Sequence, residues 1–391
     1  MQRIAAILTM MFITTSAIAQ SQPATRALEK ADAGRERARE QAKRLLDRGA
    51  KFLVNSQDAD GAWAGQSGIG ISALALRALA RHPDFGSKHP SVERGVEFVL
   101  KAEREEGGLY SPDGLIKNYE MSVALSMLVA LDDPKHKPLI EKMQKQLVEG
   151  QWDEGEGRSI DDPWYGGTGY GNGKRPDLSN VNIMMDALRD SGLVKDSPAY
   201  KKALIFISRC QMLGEHNDQP LAKDSTDGGF IYSPANGGES KAGERTVGER
   251  TELRTYGSMT YAGFKSMIYA GLTTQDPRVQ AAIGWIGANW TLEFNPSMPE
   301  KQSHEGLFYY YMTFGRALAA FGEPVIRDKS GRDRDWRTEL VEQLGKMQKD
   351  DGSWVNEKDR WMEGHPALTT AYSMIALQEA FPELTRSAKK E

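Results

Sequence analysis

Apolar residues recur at helical spacing in a series of segments along the chain, and glycine-containing corners separate these segments. One segment runs from Arg44-Leu45-Leu46 to Leu53-Val54, and a second apolar segment follows from Ile71 to Leu79. Side chains three and four positions apart lie on one face of a helix. The pattern therefore predicts a unit of helix, glycine corner and helix.

The corner itself recurs as a motif, Gln-x-x-x-Gly-x-Trp. It is found three times, as QDADGAW at 57–63, QLVEGQW at 146–152 and QKDDGSW at 348–354. Glycine accepts the positive φ that ends a helix, and tryptophan offers a large flat surface for the next unit. Three further units have degraded corners, and the six predicted corner glycines are Gly61, Gly108, Gly150, Gly229, Gly306 and Gly352.

These corners divide the chain into repeats of about 45 residues with two long insertions. A single helix pair cannot bury its apolar face, so the units must stack. Neither end of the array carries an obviously polar capping repeat, which favours closure into a ring. We therefore predict an all-α fold, an α/α toroid (α6/α6 barrel) of six helix pairs over residues 38–382, with a charged segment at 20–37 and a polar tail at 383–391.

The N-terminus has the pattern of a secretory signal peptide. After Arg3 the chain is uncharged from Ile4 to Ile13, and Ala17-Ile18-Ala19 precedes a polar stretch. The apolar run is too short to span a bilayer, and the small residues indicate cleavage after residue 19. We predict an exported protein, periplasmic, envelope-associated or extracellular; an N-terminal anchor or a buried helix is the alternative.

Composition narrows the class of protein. The 391 residues are 39% hydrophobic with 39 glycines, which excludes an integral membrane protein and a disordered chain. Lys and Arg number 50 against 54 Asp and Glu, a net charge of −4, so no basic field attracts nucleic acid. The single cysteine, Cys210, excludes an intramolecular disulfide and a zinc site built on several thiolates.

The corners and helix pairs resemble the squalene cyclase and protein prenyltransferase β-subunit superfamily. This resemblance covers nearly all of the chain after the signal peptide. It implies that the helix after each corner lines the inside of the ring, with any catalytic cavity in the central bore. It does not supply an activity, because the motifs are structural and fold does not fix function. The zinc set of the prenyltransferases, an aspartate, a cysteine and a histidine, is not matched, since Cys210 is expected on an outer helix.

Candidate catalytic residues come from two places. The acid motif Asp-x-Asp-Asp of class II terpene cyclases is matched only in part, by Ser159-Ile160-Asp161-Asp162, and either aspartate is a candidate general acid. A solvated turn is the alternative. His304 and His365 each precede a predicted lining helix in successive repeats, with Glu305 and Glu363 nearby. They can converge at one end of the ring as a metal site or an acid–base pair, or they can simply be polar loop residues.

Candidate ligand-binding residues lie near the starts of predicted lining helices. The aromatic members can stabilise carbocations, bind a lipid or stack on sugar rings, with core packing as the alternative. Arg175, Asp177 and Asn180 belong to a predicted helix start and also face the mouth of the bore. The candidates are Tyr119, Arg175, Asp177, Asn180, Tyr256, Tyr261, Tyr310 and Phe314.

Three functional hypotheses follow. The first is an exported toroid that handles an isoprenoid or another apolar ligand in an aromatic bore, with no cofactor and with peripheral association with the envelope. The second is a secreted polysaccharide lyase or hydrolase on an α/α barrel, with Glu120 among its loose candidates. The third is a non-catalytic toroid that binds a protein or a lipid in the envelope. The glycine-rich insertion at 224–253 is either a lid over one end of the ring or a passive surface loop.

Overall fold

The structure, a computed structural model, describes residues 16–171 and 173–386, with side chains from residue 33. Most of the predicted signal peptide, Asn172 and the end of the predicted tail fall outside these residues. Twelve α-helices dominate the described chain. They are α1 (Ser16–Asn55), α2 (Gly70–Ala80), α3 (Pro90–Leu100), α4 (Lys117–Leu131), α5 (Lys137–Glu149), α6 (Leu178–Asp190), α7 (Pro198–Cys210), α8 (Gly257–Tyr269), α9 (Pro277–Ala288), α10 (Leu307–Phe321), α11 (Trp336–Met347) and α12 (Pro366–Ala380).

The even-numbered helices form a closed inner ring. Each packs on the next, from α2 through α4, α6, α8 and α10 to α12, and α12 packs back on α2. The odd-numbered helices lie outside them. Inner helices are buried on nearly every face, as in α12, where 13 residues from Ala367 to Ala380 are buried. The predicted α/α toroid of six helix pairs is confirmed, and the helix after each corner is the inner one.

Two short antiparallel hairpins interrupt the helices. Strands β1 (Glu244–Val247) and β2 (Arg250–Leu253) pair within the insertion at 224–253. Strands β3 (Ile326–Arg327) and β4 (Asp333–Arg334) pair between α10 and α11. Both hairpins are excursions from the helical array.

The motif glutamines tie one repeat to the next. Gln57 donates to the carbonyls of Gly61 and Ser91, at 2.9 and 2.8 Å, and Ser91 opens the next outer helix. Gln348 makes the same pair of bonds, to Gly352 and to Leu45 of α1, so the last repeat is joined to the first. Each glutamine therefore satisfies carbonyl groups that would otherwise be unpaired.

Of the six predicted corner glycines, Gly61 and Gly352 are confirmed, Gly108 and Gly229 each lie one residue past the corner, and Gly150 is wrong because the motif match at 146–152 is not a corner. Gln146 donates to Glu106 O instead, and Gly150 has φ −87°. Gln151 is the residue that links the two repeats here, since its Nε2 donates to Gly166 O and Ala199 O, both at 3.1 Å. The equivalent glycines have φ between +79° and +93°, and they are Gly61, Gly107, Gly166, Gly228 and Gly352.

Gly166 shows why the true corner requires glycine. A Cβ atom there would lie 1.8 Å from the carbonyl oxygen of Lys202, and the φ of +79° disfavours any other residue. Gly306, predicted as the fifth corner, is instead the N-cap of α10.

Candidate functional site

A tyrosine-rich cavity of about 230 Å³ opens where the inner helices begin. All six inner helices contribute to its wall with residues of their first turns. Two further contributions come from the insertion and from the loop before α12. We call this cavity the chamber; its lining includes Gly70, Tyr119, Tyr170, Ser179, Tyr232, Lys241, Tyr256, Met259, Tyr309, Trp361, Glu363, Leu368 and Tyr372.

The tyrosine hydroxyls of the chamber are held by one another and by neighbouring polar groups. Tyr119 and Tyr372 share a hydrogen bond of 2.8 Å, and Asn182 donates to the Tyr309 hydroxyl at 3.1 Å. Burial raises the pKa of Tyr119 to about 12, against the hydrogen bond with Tyr372. The chamber tyrosines are therefore neutral at physiological pH and present mainly their rings to the cavity.

One carboxyl group, that of Glu363, lies in the chamber wall. Its side chain accepts hydrogen bonds from Tyr309 N at 2.7 Å, Phe308 N at 3.2 Å and Asn356 Nδ2 at 2.7 Å. It thus supplies acceptors to the N-terminus of α10, where four N–H groups lack helical partners. Burial raises the pKa of Glu363 to about 7, although these hydrogen bonds act in the opposite direction. Near neutral pH the group exchanges between acid and carboxylate.

The loop before α12 has a strained backbone at the chamber mouth. Trp361 and Met362 have φ of +59° and +65°, which side-chain-bearing residues seldom adopt. Both side chains line the chamber, and both are more than 40% exposed. Such strain persists only where the surroundings hold it, and it is concentrated at functional sites.

A layer of buried ion pairs lies about two turns nearer the C-termini of the inner helices. Lys265 contacts Asp186 at 2.5 Å, and Arg316 contacts Asp186 at 3.3 Å and Asp190 at 2.9 Å. Burial lowers the pKa of Lys265 to about 8. Beyond this layer, at the opposite end of the ring, a polar cavity of about 500 Å³ opens between arginines and carboxylates.

The predicted ligand-binding residues divide into three groups. Tyr119 and Tyr256 line the chamber. Asp177 is the N-cap of α6 and accepts from the backbone and side chain of Asn180, both at 2.9 Å, and neither residue belongs to the chamber lining. Burial raises the pKa of Asp177. Arg175 forms an ion pair with Glu239 near the mouth.

The remaining three, Tyr261, Tyr310 and Phe314, pack on one another between α8 and α10. All three are buried, and the Tyr310 hydroxyl donates to Thr291 O at 2.8 Å. They lie outside the chamber lining, as expected for the core-packing alternative.

The predicted catalytic residues lie away from the chamber wall. Asp161 is exposed, and Asp162 forms an ion pair with Arg158 at 2.8 Å. Although partial burial opposes it, the hydrogen bond from Arg158 lowers the pKa of Asp162. His304 is exposed and touches Ser303, while His365 is the N-cap of α12. Both histidines lie at the chamber end of the ring, since Asn356 joins His304 O to Glu363.

Sequence reasoning missed most of the chamber. Tyr232, Tyr309 and Tyr372 were not among the candidates, and Glu363 was noticed only as a neighbour of the histidines. A usable signal existed for Tyr309 and Tyr372, because each lies in the first two turns of a lining helix. The insertion at 224–253 places Tyr232 and Lys241 in the chamber wall, so it covers one end of the ring.

One group of metal-ligating residue types lies outside the ring. Among the described residues, Asp47, His82 and Asp84 offer ligand atoms within 4.8 Å of one another. His82 Nε2 already contacts Asp47 Oδ1 at 3.2 Å, and His82 Nδ1 accepts from Asp84 N at 3.3 Å. Because both ring nitrogens are hydrogen-bonded, the arrangement is explained as a link between α1 and the loop after α2.

Comparison with solved structures shows that this chain has a helical toroid fold similar to that of a terpene cyclase. A substrate complex of a single-substitution variant of type II terpene cyclase MstE from Scytonema has a TM-score of 0.53 at 13% identity, covering 89% of this chain and 99% of that one. A second substrate complex gives 0.54 at 11% identity with the same coverage. The ligand-free enzyme gives 0.52 at 11%, covering 88% and 99%. At this identity the likeness establishes the fold.

Sequence comparison points the same way over a short stretch. Lanosterol synthase erg7A of Aspergillus fumigatus is 29% identical over 127 residues, which is 29% of this chain and 17% of that enzyme. No family model matches the chain. The resemblance to the squalene cyclase-like superfamily is thus confirmed at the level of the fold.

Proposed function

We propose that this protein is an exported toroid that binds an isoprenoid in the chamber. The observation that carries the proposal is the set of six tyrosine side chains in the chamber wall, four of them near the starts of α4, α8, α10 and α12. Aromatic rings present flat apolar surfaces to a branched unsaturated chain, and each CH₂ group removed from water contributes about 0.8 kcal/mol. The substrate named for the Scytonema complexes, geranylgeranyl dihydroxybenzoate, carries such a chain.

The size of the chamber favours a short ligand. Its volume of about 230 Å³ is below the roughly 300–1,000 Å³ of pockets that enclose drug-sized molecules. The proposal is therefore a short isoprenoid, or the end of a longer chain whose remainder leaves through the mouth beside Trp361.

The proposal is ligand binding, and the aspartates predicted as general acids do not support alkene cyclisation. A general acid must hold its proton at the working pH. The ion pair with Arg158 keeps Asp162 ionised, and Asp161 is exposed on the same surface turn. The glycan alternative gains no comparable support, because the chamber lining holds one carboxyl group, that of Glu363, and not paired acids.

A binding assay with two matched variants tests the function. Tritiated farnesol and farnesene, a C15 alcohol and a C15 hydrocarbon, are titrated against the full chain without its first 19 residues. Ser67→Trp fills the chamber wall, and Ser87→Trp places the same bulk after α2, at the other end of the ring. We expect binding that S67W weakens at least tenfold and S87W leaves unchanged. The function is refuted if neither compound binds, or if both variants bind like the parent.

Export is a separate part of the proposal. It rests on the N-terminal pattern, since residues 1–15 lie outside the described structure. No helix in residues 16–171 or 173–386 combines the length and apolar character needed to cross a bilayer. We expect the chain in a bacterial envelope fraction, peripherally associated and beginning near Gln20. N-terminal sequencing of that fraction tests this, and an uncleaved chain in the cytosol would contradict it.

A further inference from the structure

Glu363 is the buried carboxyl group in the described wall of a cavity lined mainly by tyrosines and apolar side chains, with Ser67, Ser179, Ser258 and Lys241 as further polar members. It is 1% exposed, and its bonds at the start of α10 are unequal between its two oxygens. Oε2 accepts from Phe308 N and Asn356 Nδ2, and Oε1 accepts from Tyr309 N, while Leu307 N also acts on the carboxylate and lowers its pKa without forming a hydrogen bond of ordinary geometry. A carboxylate offers about four acceptor positions. The hydrogen bonds of ordinary geometry therefore leave one position, on Oε1.

A ligand group that contacts this position must be able to hydrogen-bond to both the carboxylate and the neutral acid form of Glu363. The carboxylate needs a donor there, and the neutral acid needs an acceptor. A hydroxyl group is both donor and acceptor, whereas a hydrocarbon is neither and leaves the buried group without its last partner. We propose that the chamber selects a hydroxylated isoprenoid, whose hydroxyl group hydrogen-bonds to Glu363. This inference rests on the proposed function and names the ligand class more closely.

The charges around the chamber disfavour a diphosphate. Lys241 is the cation in the chamber lining, and it forms an ion pair with Glu239 while its Nζ lies 4.4 Å from the Tyr232 ring centroid. Arg175, near the mouth, pairs with the same Glu239. A diphosphate would have to displace these pairs and lie beside a carboxyl group, which costs free energy. A neutral hydroxyl group avoids both costs.

Glu120 provides a matched control for the structural part of this role. It is 0% exposed and accepts from Ile69 N at 2.8 Å, Ser111 N at 2.7 Å and Ser111 Oγ at 2.7 Å. It therefore supports the start of α2 as Glu363 supports the start of α10. Glu120 lies outside the chamber lining. Removing its carboxyl group changes the fold's stability without changing the chamber wall.

The experiment compares three C15 probes, farnesol, farnesene and farnesyl diphosphate, on the parent chain, Glu363→Met, Glu363→Gln and Glu120→Met. We expect farnesol to bind about tenfold more tightly than farnesene, the equivalent of one hydrogen bond to a buried polar group. E363M should lose this preference while still binding farnesene. E363Q, which retains hydrogen-bonding atoms, should keep most of it, and E120M should keep all of it. Thermal unfolding confirms that each variant is folded.

The possible outcomes separate three claims: isoprenoid binding in the chamber, selectivity for a hydroxyl group, and the role of Glu363 in that selectivity. Equal binding of farnesol and farnesene to the parent chain overturns this inference and leaves the proposed function intact. Tighter binding of farnesyl diphosphate than of farnesol also overturns it. A loss of preference in E120M as large as in E363M shows that the effect is structural, and it overturns the assignment to Glu363. Failure of all three probes to bind refutes the proposed function itself.

Discussion

The two hydrogen bonds by which Gln151 links neighbouring repeats give the sharpest test of the fold, because the sequence motif assigns this link to Gln146. Gln151 is 1% exposed, and its Nε2 holds the carbonyls of Gly166 and Ala199, which belong to different repeats. Gln151→Ala removes two hydrogen bonds of roughly 0.5–1.5 kcal/mol each and leaves two carbonyls unpaired. With the lost packing, we expect the free energy of unfolding to fall by about 2–4 kcal/mol.

Gln146→Ala is the matched control. Gln146 makes one hydrogen bond, to Glu106 O at 2.6 Å in an exposed setting, so its loss should cost less than about 1 kcal/mol. Urea denaturation followed by circular dichroism measures both variants against the parent. If Gln146→Ala costs as much as Gln151→Ala, the corner is where the motif places it and the assignment to Gly166 is wrong.

Three further predictions follow from the same structure. Gly166→Ala should prevent stable folding or cost more than about 3 kcal/mol, since its φ is +79°, while Gly150→Ala, at φ −87°, should be nearly neutral by thermal unfolding. Asp186→Asn removes the carboxylate that Lys265 and Arg316 share and should lower the free energy of unfolding by about 3–5 kcal/mol in urea denaturation, whereas Glu141→Gln in an exposed pair should change it by less than about 0.5 kcal/mol. The pKa of Glu363 in the folded chain, about 7, is above its ordinary value of 4.5, so the neutral carboxyl group stabilises the fold fully below pH 4.5. This contribution is lost as the pH rises through 7, and the free energy of unfolding should fall by roughly 3 kcal/mol over that range. Glu363→Gln should flatten this part of the plot of unfolding free energy against pH, and an unchanged slope would contradict the assignment.

The helix pairs were predictable because each depends on local signals. Apolar spacing identified the helices, and two of the three motif matches are true corners. In both of these the tryptophan ring nitrogen donates to a carbonyl ten residues earlier, Trp63 to Leu53 and Trp354 to Leu344, each at 2.8 Å. A short motif of this kind can be recognised without knowledge of the tertiary structure.

The motif match at 146–152 does not mark a corner, because the glutamine and the glycine of the real corner, Gln151 and Gly166, are distant in sequence. Fifteen residues separate Gln151 from Gly166, and the intervening loop has its own packing, with Trp152 against Trp164 at 4.9 Å. The surface tryptophan therefore completes the motif by coincidence. A pattern of fixed spacing cannot detect a corner that contains an insertion.

The site was predicted less well because helix rotation decides which aromatic residue faces the bore. Tyr309 and Tyr310 are adjacent in α10, yet Tyr309 lines the chamber and Tyr310 packs in the core. One residue corresponds to about 100° around a helix axis. Inner helices are buried on nearly every face, so the spacing of apolar residues alone does not distinguish the face towards the bore from the face towards the core.

Photo-crosslinking tests the central claim most directly. A farnesol analogue with a diazirine on its chain is irradiated with the purified protein, and the modified peptides are identified by mass spectrometry. The account predicts adducts on chamber residues such as Tyr256, Met259 and Trp361, with competition by unlabelled farnesol. Adducts confined to other surfaces, or labelling that farnesol does not reduce, would contradict binding in the chamber.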